Sequence, residues 1–380
     1  MLDFITIEGF KSIASLNELK LGPINVLIGP NGSGKSNFIG VFSLLNAIRS
    51  GRLQLYVLRA GGADRVLHFG LRTTESMRVR LSFENQTNQY EIRLQATETD
   101  QLHPSGETIS FWDKANYDKS NDDTLFGRGG EAGISLPPTG EIQWYVQNHL
   151  DSWRLYHFHD TSSASPLRKT ADVNDNRFLR MDGTNLASFL HLLRQRYEIN
   201  YHLIRRTVQL VAPFFEDFLL QPSAHNEDRI RLEWRHKGTD AYFDVSSFSD
   251  GTLRFIALAT LMLQPEEMRP SVILLDEPEL GLHPYAITLL ASLVKQASAQ
   301  SQVILATQSP VLLNHFQPED VLVADRFRGQ SEFTRLDAES LKAWLDDYNL
   351  GQLWEMNEFG GRPNREWLED CVNDKAASPR

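Results

Sequence analysis

The N-terminal third of the chain carries three patterns of hydrophobic positions. The segment FITIEGF (4–10) alternates, and INVLI (24–28) is almost wholly apolar, which predicts a buried strand. The next segment, KSNFIGVFSLLNAIR, has the spacing of a helix with one apolar face, formed by Phe38, Phe42, Leu45 and Ile48. Two alternating runs, MRVRLSFEN and YEIRLQA, are separated by QTNQ and predict an antiparallel pair.

The middle of the chain is less regular. Residues 100–140 are rich in Gly, Ser, Pro, Asp and Asn and predict a long loop or insertion. RLYHFH (154–159) and RIRLEWRH (229–236) are candidate strands. Between them, apolar residues recur at helical spacing from Leu186 to Tyr197 and onward to Pro213.

The last third alternates between the two kinds of pattern. A helix is predicted over 252–263, then a strand SVILLD, a helix over 284–299, a strand QVILAT, a further helix and a strand VLVAD. This alternation is typical of a parallel sheet covered by helices. There is no internal repeat and no sustained heptad pattern.

Composition narrows the class of protein. With 380 residues and 41% apolar residues, the chain can form one large domain with insertions or two ordinary domains. The single cysteine, Cys371, excludes an internal disulfide and a CxxC zinc site, which favours a reducing, cytoplasmic setting. We expect no signal peptide and no membrane span. The net charge of −11 argues against binding nucleic acid over the whole surface, but not against a local basic patch.

The segment GPNGSGKS matches the phosphate-loop pattern and lies between a predicted buried strand and a predicted helix. Its glycines let backbone N–H groups turn toward phosphate oxygens, and the helix N-terminus favours an anion. Lys35 would reach the β- and γ-phosphates, and the Ser36 hydroxyl would bind Mg²⁺. The alternative is a glycine-rich turn with a surface lysine. The candidate nucleotide-binding residues here are Gly29, Pro30, Asn31, Gly32, Ser33, Gly34, Lys35, Ser36 and Asn37.

Two further apolar strands end in polar residues. Asp276 follows four apolar residues and is placed to hold Mg²⁺ through water, while Glu277 is the natural general base for an attacking water. Two solvated loop acids would be the alternative. Gln308 follows QVILAT and is a candidate sensor of the γ-phosphate or the attacking water. Otherwise it belongs to the cap of the next helix, for which Ser309 before Pro310 is well suited.

A short polar turn, Ser249-Asp250-Gly251-Thr252, precedes the apolar run LRFIALATLML. Ser, Asp and Thr all favour a plain helix cap. At this point in the motif order, however, an ATP-binding cassette (ABC) head carries the signature turn that completes the site of a facing subunit. A ring motor would instead use an arginine finger from a neighbour. The order of motifs favours the ABC-type head.

The chain resembles the SMC/RecF/OLD-like branch of ABC ATPases, and within it the bacterial predicted ATPases of the AAA class that are related to RecF. The resemblance spans nearly the whole chain, in the segments ITIEGFKSI, GPNGSGKSN, WRLYHFHDTS, FSDGTLRFIALATL, LLDEPELGLHP, ATQSP and LGQLWEMNEFGGRP. It implies an α/β fold of P-loop NTPase, ABC-head type: a mixed sheet, an antiparallel β subdomain and a helical subdomain.

The resemblance also implies an ATP-driven homodimer, or a higher oligomer, with two ATPs between the heads. Lys35, Ser36, Asp276 and Glu277 would act on one face, and the signature residues Ser249, Asp250 and Gly251 would serve the partner's ATP. Lys11 and Ser12 match the family's GFKS turn near the nucleotide. Gln308 stands where transporter-type heads have His. No motif assigns the family's sensing glutamine, and we hypothesise that RLYHFHDTS occupies its place, with His159 or Asp160 as the sensing group; a structural strand end is the alternative.

We expect five regions. These are an ATPase lobe with the β subdomain (1–100), a loop-rich insertion (101–150), the sensing strand with a helical and β subdomain (151–245), a second ATPase lobe (246–345) and a tail (346–380). The chain shows neither the coiled coil of SMC relatives nor the nuclease domain of OLD relatives, so we predict no nuclease activity. Basic residues on or near the predicted helices could contact DNA, or could simply be solvated: Arg194, Arg196, Arg205, Arg206, Arg231, Arg235 and Lys237.

Two functions remain open at this point. One is an ATPase whose dimer switches a DNA-related or antiviral process. The other is an ATP-gated scaffold that holds or activates a separate effector such as a nuclease.

Overall fold

The computed structural model describes residues 1–162 and 164–360. Cys371, the end of the tail region 346–380 and the end of the LGQLWEMNEFGGRP segment lie outside the described residues. The chain forms two compact units, one of Met1–Trp153 with the residues from Gln317 onward, the other of Arg154–Phe316. The five-region division stays a prediction.

Unit 1 contains half of the strands in the described residues. They are β1 (Leu2–Phe10), β2 (Ile13–Lys20), β3 (Ile24–Ile28), β4 (Ser76–Phe83), β5 (Asn88–Ala96), β6 (Leu102–Phe111), β7 (Asn121–Thr124), β17 (Val321–Phe327) and β18 (Gln330–Arg335). Its helices are α1 (Lys35–Arg49), α2 (Leu53–Ala60), α3 (Ala63–Val66), α4 (Glu141–Asp151), α10 (Ala338–Leu345) and α11 (Leu350–Met356).

Six of these strands form an antiparallel sheet in the order β2-β1-β4-β5-β6-β7. The predicted pair β4 and β5 is confirmed, with Val79 opposite Ile92 and Leu81 opposite Tyr90 in the ladder. The loop predicted over 100–140 is wrong for Leu102–Phe111, which pairs with β5 along its whole length. Pro104, Ser105 and Gly106 hide the alternation there, and the register shifts beside them.

Strand β3 pairs in parallel with β17, which pairs antiparallel with β18. Helix α1 begins six residues after β3 ends and buries the apolar face predicted from Phe38, Phe42, Leu45 and Ile48. A buried strand followed by an amphipathic helix holds the connecting loop at both ends, as the sequence pattern predicts.

Unit 2 contains the remaining elements. Its strands are β8 (Trp153–Tyr156, which starts at the boundary), β9 (Ala171–Asp172), β10 (Phe215–Leu219), β11 (Pro222–Ser223), β12 (Asn226–Ile230), β13 (Glu233–His236), β14 (Tyr242–Asp244), β15 (Val272–Asp276) and β16 (Gln302–Thr307). The helices are α5 (Leu186–Arg196), α6 (Glu198–Val211), α7 (Asp250–Leu263), α8 (Pro284–Ala297) and α9 (Pro310–Leu313).

The parallel pair β15 and β16 is the framework of unit 2's candidate site. Their residues pair in register from Val272 opposite Gln302 to Asp276 opposite Ala306. The long helical pattern of 186–211 is divided into α5 and α6 at Tyr197, whose φ of −131° and ψ of 55° are not helical. The carbonyl of Leu263 in α7 accepts a 2.8 Å hydrogen bond from the Asn200 side chain in α6.

The protein is therefore α/β, with a mixed arrangement of parallel and antiparallel strands, as predicted. Among the helices of the described residues, none is long and apolar enough to cross a membrane.

Candidate nucleotide-binding site

The loop between β3 and α1 adopts a conformation that depends on glycine. Gly34 caps α1 with a φ of 108°, in the left-handed region. A Cβ at Gly34 would lie 2.1 Å from Ser331 Oγ and 3.0 Å from Ser12 Oγ. Because neither the backbone angle nor the space accepts a side chain, the third glycine of GPNGSGKS is required by the local structure.

Lys35 lies along the loop that precedes it. It is only 5% exposed, and its Nζ donates to the carbonyls of Gly29 (2.7 Å) and Pro30 (2.9 Å). Ser36 and Asn31 are exposed, while the Ser33 hydroxyl is buried with no hydrogen-bond partner among the described residues. The loop therefore holds its one cation against its own carbonyls and keeps a buried hydroxyl without a protein partner.

The GFKS turn packs beside the start of α1. Ser12 Oγ accepts hydrogen bonds from Asn37 Nδ2 and from Ser331 Oγ, both at 2.7 Å. Lys11 has a φ of 47°, and burial lowers the pKa of its ammonium group. Unit 1 thus brings Ser12 and Asn37 into direct contact, and Lys11 directly precedes Ser12 in the chain.

In unit 2, the acids predicted from the SVILLDE segment end a buried strand. Val272–Leu275 are buried, Asp276 is half-buried, and the Glu277 N–H donates to the carbonyl of Ala306 at 2.8 Å. Glu277 has a φ of 41°, an uncommon value for a residue with a side chain. The left-handed backbone at Glu277 is thus tied to the neighbouring strand.

Gln308 contacts Glu277 directly. Its Nε2 donates to Glu277 Oε1 at 2.5 Å. The cap of the next helix is made by Ser309 instead, whose Oγ accepts from the Leu312 N–H at 3.2 Å. Ser309 therefore serves as the cap, and the Gln308 side chain contacts the carboxylate of Glu277.

His159 and Asp160 have different surroundings. His159 lines a small pocket with Arg254, Asp276 and Glu277. Asp160 Oδ1 instead accepts from the backbone and hydroxyl of Ser162, at 3.0 and 2.7 Å, and these bonds lower the pKa of Asp160. Of the two candidates, His159 is the one that unit 2 brings beside the acids.

The polar turn before α7 caps that helix. Ser249 is the N-cap, and its Oγ accepts from the Thr252 N–H at 3.2 Å. Asp250 Oδ1 accepts from Arg168 Nη2 at 2.8 Å. Gly251 lies within the helix rather than in a tight left-handed turn, and a Cβ there would lie 2.3 Å from the Gly281 carbonyl oxygen.

A comparison with protein families matches residues 24–314, well over half of the chain, to a family described as "AAA domain, putative AbiEii toxin, Type IV TA system". The chain belongs to this AAA-domain family. A comparison with curated protein sequences finds no significant match.

Solved structures share the fold of this AAA-domain protein at low sequence identity. An SMC head bound to the C-winged helix domain of ScpA has a TM-score of 0.57 at 16% identity, covering 90% of this chain and 99% of that one. An SMC head with an extended coiled coil, bound to the C-terminal domain of ScpA from Pyrococcus furiosus, has a TM-score of 0.57 at 13% identity, covering 91% and 98%. The expected resemblance to SMC-type ATPase heads is confirmed at the level of fold.

The AAA-domain family implies a nucleotide and Mg²⁺, and the residues present fit both groups. In unit 1, the buried Ser33 hydroxyl without a partner among the described residues, the open space around Gly32 and the exposed Ser36 in the first turn of α1 are suited to phosphate oxygens. The Ser36 hydroxyl and the Asp276 carboxylate are oxygen donors of the kind that Mg²⁺ prefers.

Three residues of unit 2 belong to the site's surroundings but carried no signal in the sequence. Glu279 is buried, accepts a hydrogen bond from the Thr307 hydroxyl, and has its pKa raised by burial. Arg254 donates from Nε to the Phe158 carbonyl (2.9 Å) and from Nη2 to the His159 carbonyl (2.8 Å). Together with Arg168, Arg254 ties the residues around His159 to the start of α7. Glu279 lies in the LLDEPE segment, but the sequence alone did not distinguish it as a residue of the site.

Proposed function

We propose that this AAA-domain protein hydrolyses ATP between two copies of itself, and that the ATP-bound dimer switches a DNA-related process such as repair, recombination or phage defence. One observation carries the proposal: Glu277 sits at the end of a buried strand with Gln308 2.5 Å away, and lines a pocket with Asp276 and His159. This is the group of side chains that hydrolysis by an activated water requires.

Each residue has a proposed role in that reaction. Glu277 takes a proton from the attacking water, and Gln308 orients the carboxylate that takes it. Lys35 leaves the carbonyls of Gly29 and Pro30 to contact the phosphates of ATP. Bound Mg²⁺, held by Ser36 and Asp276, would neutralise charge on the phosphates. His159 senses the nucleotide from the side of Asp276.

The start of α7 is proposed to serve the partner's ATP. Helix N-termini bind anions because their first N–H groups have no partner within the helix. Ser249 and Asp250 are exposed there, and Arg168 fixes the direction of Asp250. A bulky cation in place of Ser249 would block a facing molecule without touching the phosphate loop.

The test compares wild type with Glu277→Gln and Ser249→Arg. We expect Glu277→Gln to lose at least about 100-fold in turnover and to accumulate an ATP-bound dimer in light scattering. Ser249→Arg should bind ATP as a monomer and neither dimerise nor turn over. Glu98→Gln, at an exposed position to which the proposal gives no role, is the control. Unchanged turnover in Glu277→Gln would contradict the proposal.

DNA is a proposed partner, and contacts within unit 2 reduce the number of basic residues that are good candidates for binding it. Arg205, Arg231 and Arg235 form ion pairs with Asp217 (3.4 Å), Asp244 (3.1 Å) and Glu216 (2.9 Å). Arg194 donates to the carbonyl of Phe218 and lies over the ring of Tyr201. Arg196, Arg206 and Lys237 are therefore the better candidates for phosphate contacts. Turnover measured with and without double-stranded DNA, at rising salt, tests this partner.

The second candidate function is an ATP-gated scaffold for a separate effector in the cytoplasm. It is favoured by an exposed apolar stripe on and after α6, formed by Ile199 (85% exposed), Leu203, Leu210 and Phe214. The SMC heads of similar fold were solved with ScpA bound, and the family description names a toxin–antitoxin system. Full assembly and full biological effect in Glu277→Gln would favour this scaffold over the switch.

A further inference from the structure

An open cleft of about 850 Å³ lies in unit 1, and none of the residues that line it belongs to the phosphate loop. One wall is the start of α4, and the others come from the sheet and from the segment after β6. Four aromatic rings line the cleft, together with two carboxylates: Phe111, Tyr117, Trp144 and Tyr145, with Glu84 and Glu141. Neither the proposed ATPase site nor the signature turn uses any of these residues.

The walls of the cleft are held in place by contacts of their own. Trp112 Nε1 donates to the Tyr117 carbonyl at 3.0 Å, and the Phe111 and Tyr117 rings meet edge to face at 6.4 Å. On the opposite wall, Tyr145 packs edge to face on Phe83. Even so, Tyr117 remains 60% exposed and Trp144 58% exposed. A large ring that is held by its neighbours and still faces solvent, as Tyr117 does, is typical of a binding surface.

The charge of the cleft selects the kind of ligand. Neither Glu84 nor Glu141 has an ion-pair partner within the described part of the chain. Residues 113–123 add four aspartates against two lysines. The ammonium group of Lys114 lies over the Trp112 ring. Lys119 lines the cleft, and its side chain is exposed. This negative balance repels phosphate groups and attracts cations.

We propose that the cleft binds an organic cation, a guanidinium or alkylammonium group on an apolar stem, between the rings of Trp144 and Tyr117 and the carboxylates of Glu84 and Glu141. Aromatic faces attract such cations, and carboxylates add charge-assisted hydrogen bonds. The apolar stem would lie on Phe111 and Ile142, which also line the cleft. The group can belong to a free small molecule or to an arginine side chain of a partner protein.

The test titrates the full chain with agmatine, with the peptide acetyl-Gly-Arg-Gly-amide and with the same peptide carrying citrulline, which is neutral and of nearly equal shape. Calorimetry and tryptophan fluorescence report binding. We expect saturable binding of a guanidinium probe, with citrulline at least about tenfold weaker. Agmatine bound as tightly as the arginine peptide indicates a small molecule, and a peptide bound tenfold more tightly indicates a partner protein.

Two variants test whether the observed binding takes place in the cleft. Trp144→Ala and the nearly isosteric Glu84→Gln should each weaken binding by about fivefold or more. Trp344→Ala removes a partly exposed ring on α10 outside the cleft and should leave binding unchanged. Equal binding of the citrulline peptide, no binding of either guanidinium probe, or full binding by both cleft variants would overturn the proposal. Thermal unfolding checks that each variant is folded.

Discussion

The phosphate loop of unit 1 and the polar turn before α7 in unit 2 are both short, polar and placed at the start of a helix. They differ in what their residues do within the chain itself. In the loop, Gly34 has a left-handed backbone that only glycine adopts readily, and Lys35 is bound to loop carbonyls. In the turn, Ser249 makes the hydrogen bond of an ordinary helix cap, and Gly251 is helical.

This difference explains why the sequence alone identifies the phosphate loop but does not identify the function of the polar turn before α7. A left-handed glycine directly before a helix, with a buried strand upstream, is an unusual local structure, and its sequence pattern is correspondingly specific. A serine cap has the same sequence and the same geometry whether or not a second molecule ever approaches it. The function of the turn thus rests on its exposed helix start and on its neighbours.

The largest effect is expected in the loop. Lys35→Ala should reduce ATP turnover by at least about 100-fold, because the variant loses the charge that would stabilise the phosphates in the transition state. The measurement is a steady-state phosphate-release assay, with ATP affinity from a fluorescent analogue. Lys295→Ala, in the last turn of α8, is the control. A Lys35→Ala protein with near-normal turnover would mean that the loop is only a glycine-rich turn.

The second prediction concerns close packing in the turn. Gly251→Ala should destabilise the fold by about 1–3 kcal/mol, because its Cβ would lie 2.3 Å from the Gly281 carbonyl oxygen. Gly106→Ala is the matched control, since the nearest atom to its Cβ is 4.0 Å away on the flexible Arg93 side chain. Denaturant unfolding measures both. If the two variants are equally stable, the contact between the turn and Gly281 is not close in solution.

Regular hydrophobic patterns were sufficient to predict β3, α1, β15 and β16, because each buries a continuous apolar face. Strand β6 was missed because Pro104-Ser105-Gly106 lacks the alternation that a strand normally shows, and its pairing with β5 and β7 makes it a strand. Glu279, Arg254 and Arg168 were missed for a different reason. Arg254 contacts carbonyls about 95 residues away in the chain, and no local pattern reports such a partner.

The third prediction concerns Glu279, which follows Glu277 by two residues in the sequence. Burial raises its pKa in the folded state, so folding favours the protonated form. This contribution is complete below the unfolded pKa of about 4.3. It is lost as the pH rises through the higher folded pKa. Glu279→Gln keeps an acceptor for the Thr307 hydroxyl and has no proton to lose.

The free energy of unfolding of Glu279→Gln, relative to wild type, should therefore increase as the pH rises from about 4.3 through the higher folded pKa of Glu279. Thermal unfolding across this range measures the difference. Glu98→Gln, at an exposed site, should show a difference that does not change with pH. A constant difference for Glu279→Gln as well would contradict the raised pKa of Glu279 in the folded protein.

The smallest effect is expected for Asp250→Asn in the turn. Its carboxylate is 66% exposed although Arg168 is 2.8 Å away, and exposed ion pairs contribute little, so the loss of stability should stay below about 1 kcal/mol. The nearly isosteric amide keeps the helix cap of Ser249 intact. If the turn only caps α7, dimerisation with ATP should match that of Asp240→Asn, an exposed control. If the turn serves a partner's nucleotide, Asp250→Asn should weaken dimerisation several-fold at unchanged stability, because Arg168 no longer fixes the direction of the side chain at position 250. Light scattering measures the dimerisation.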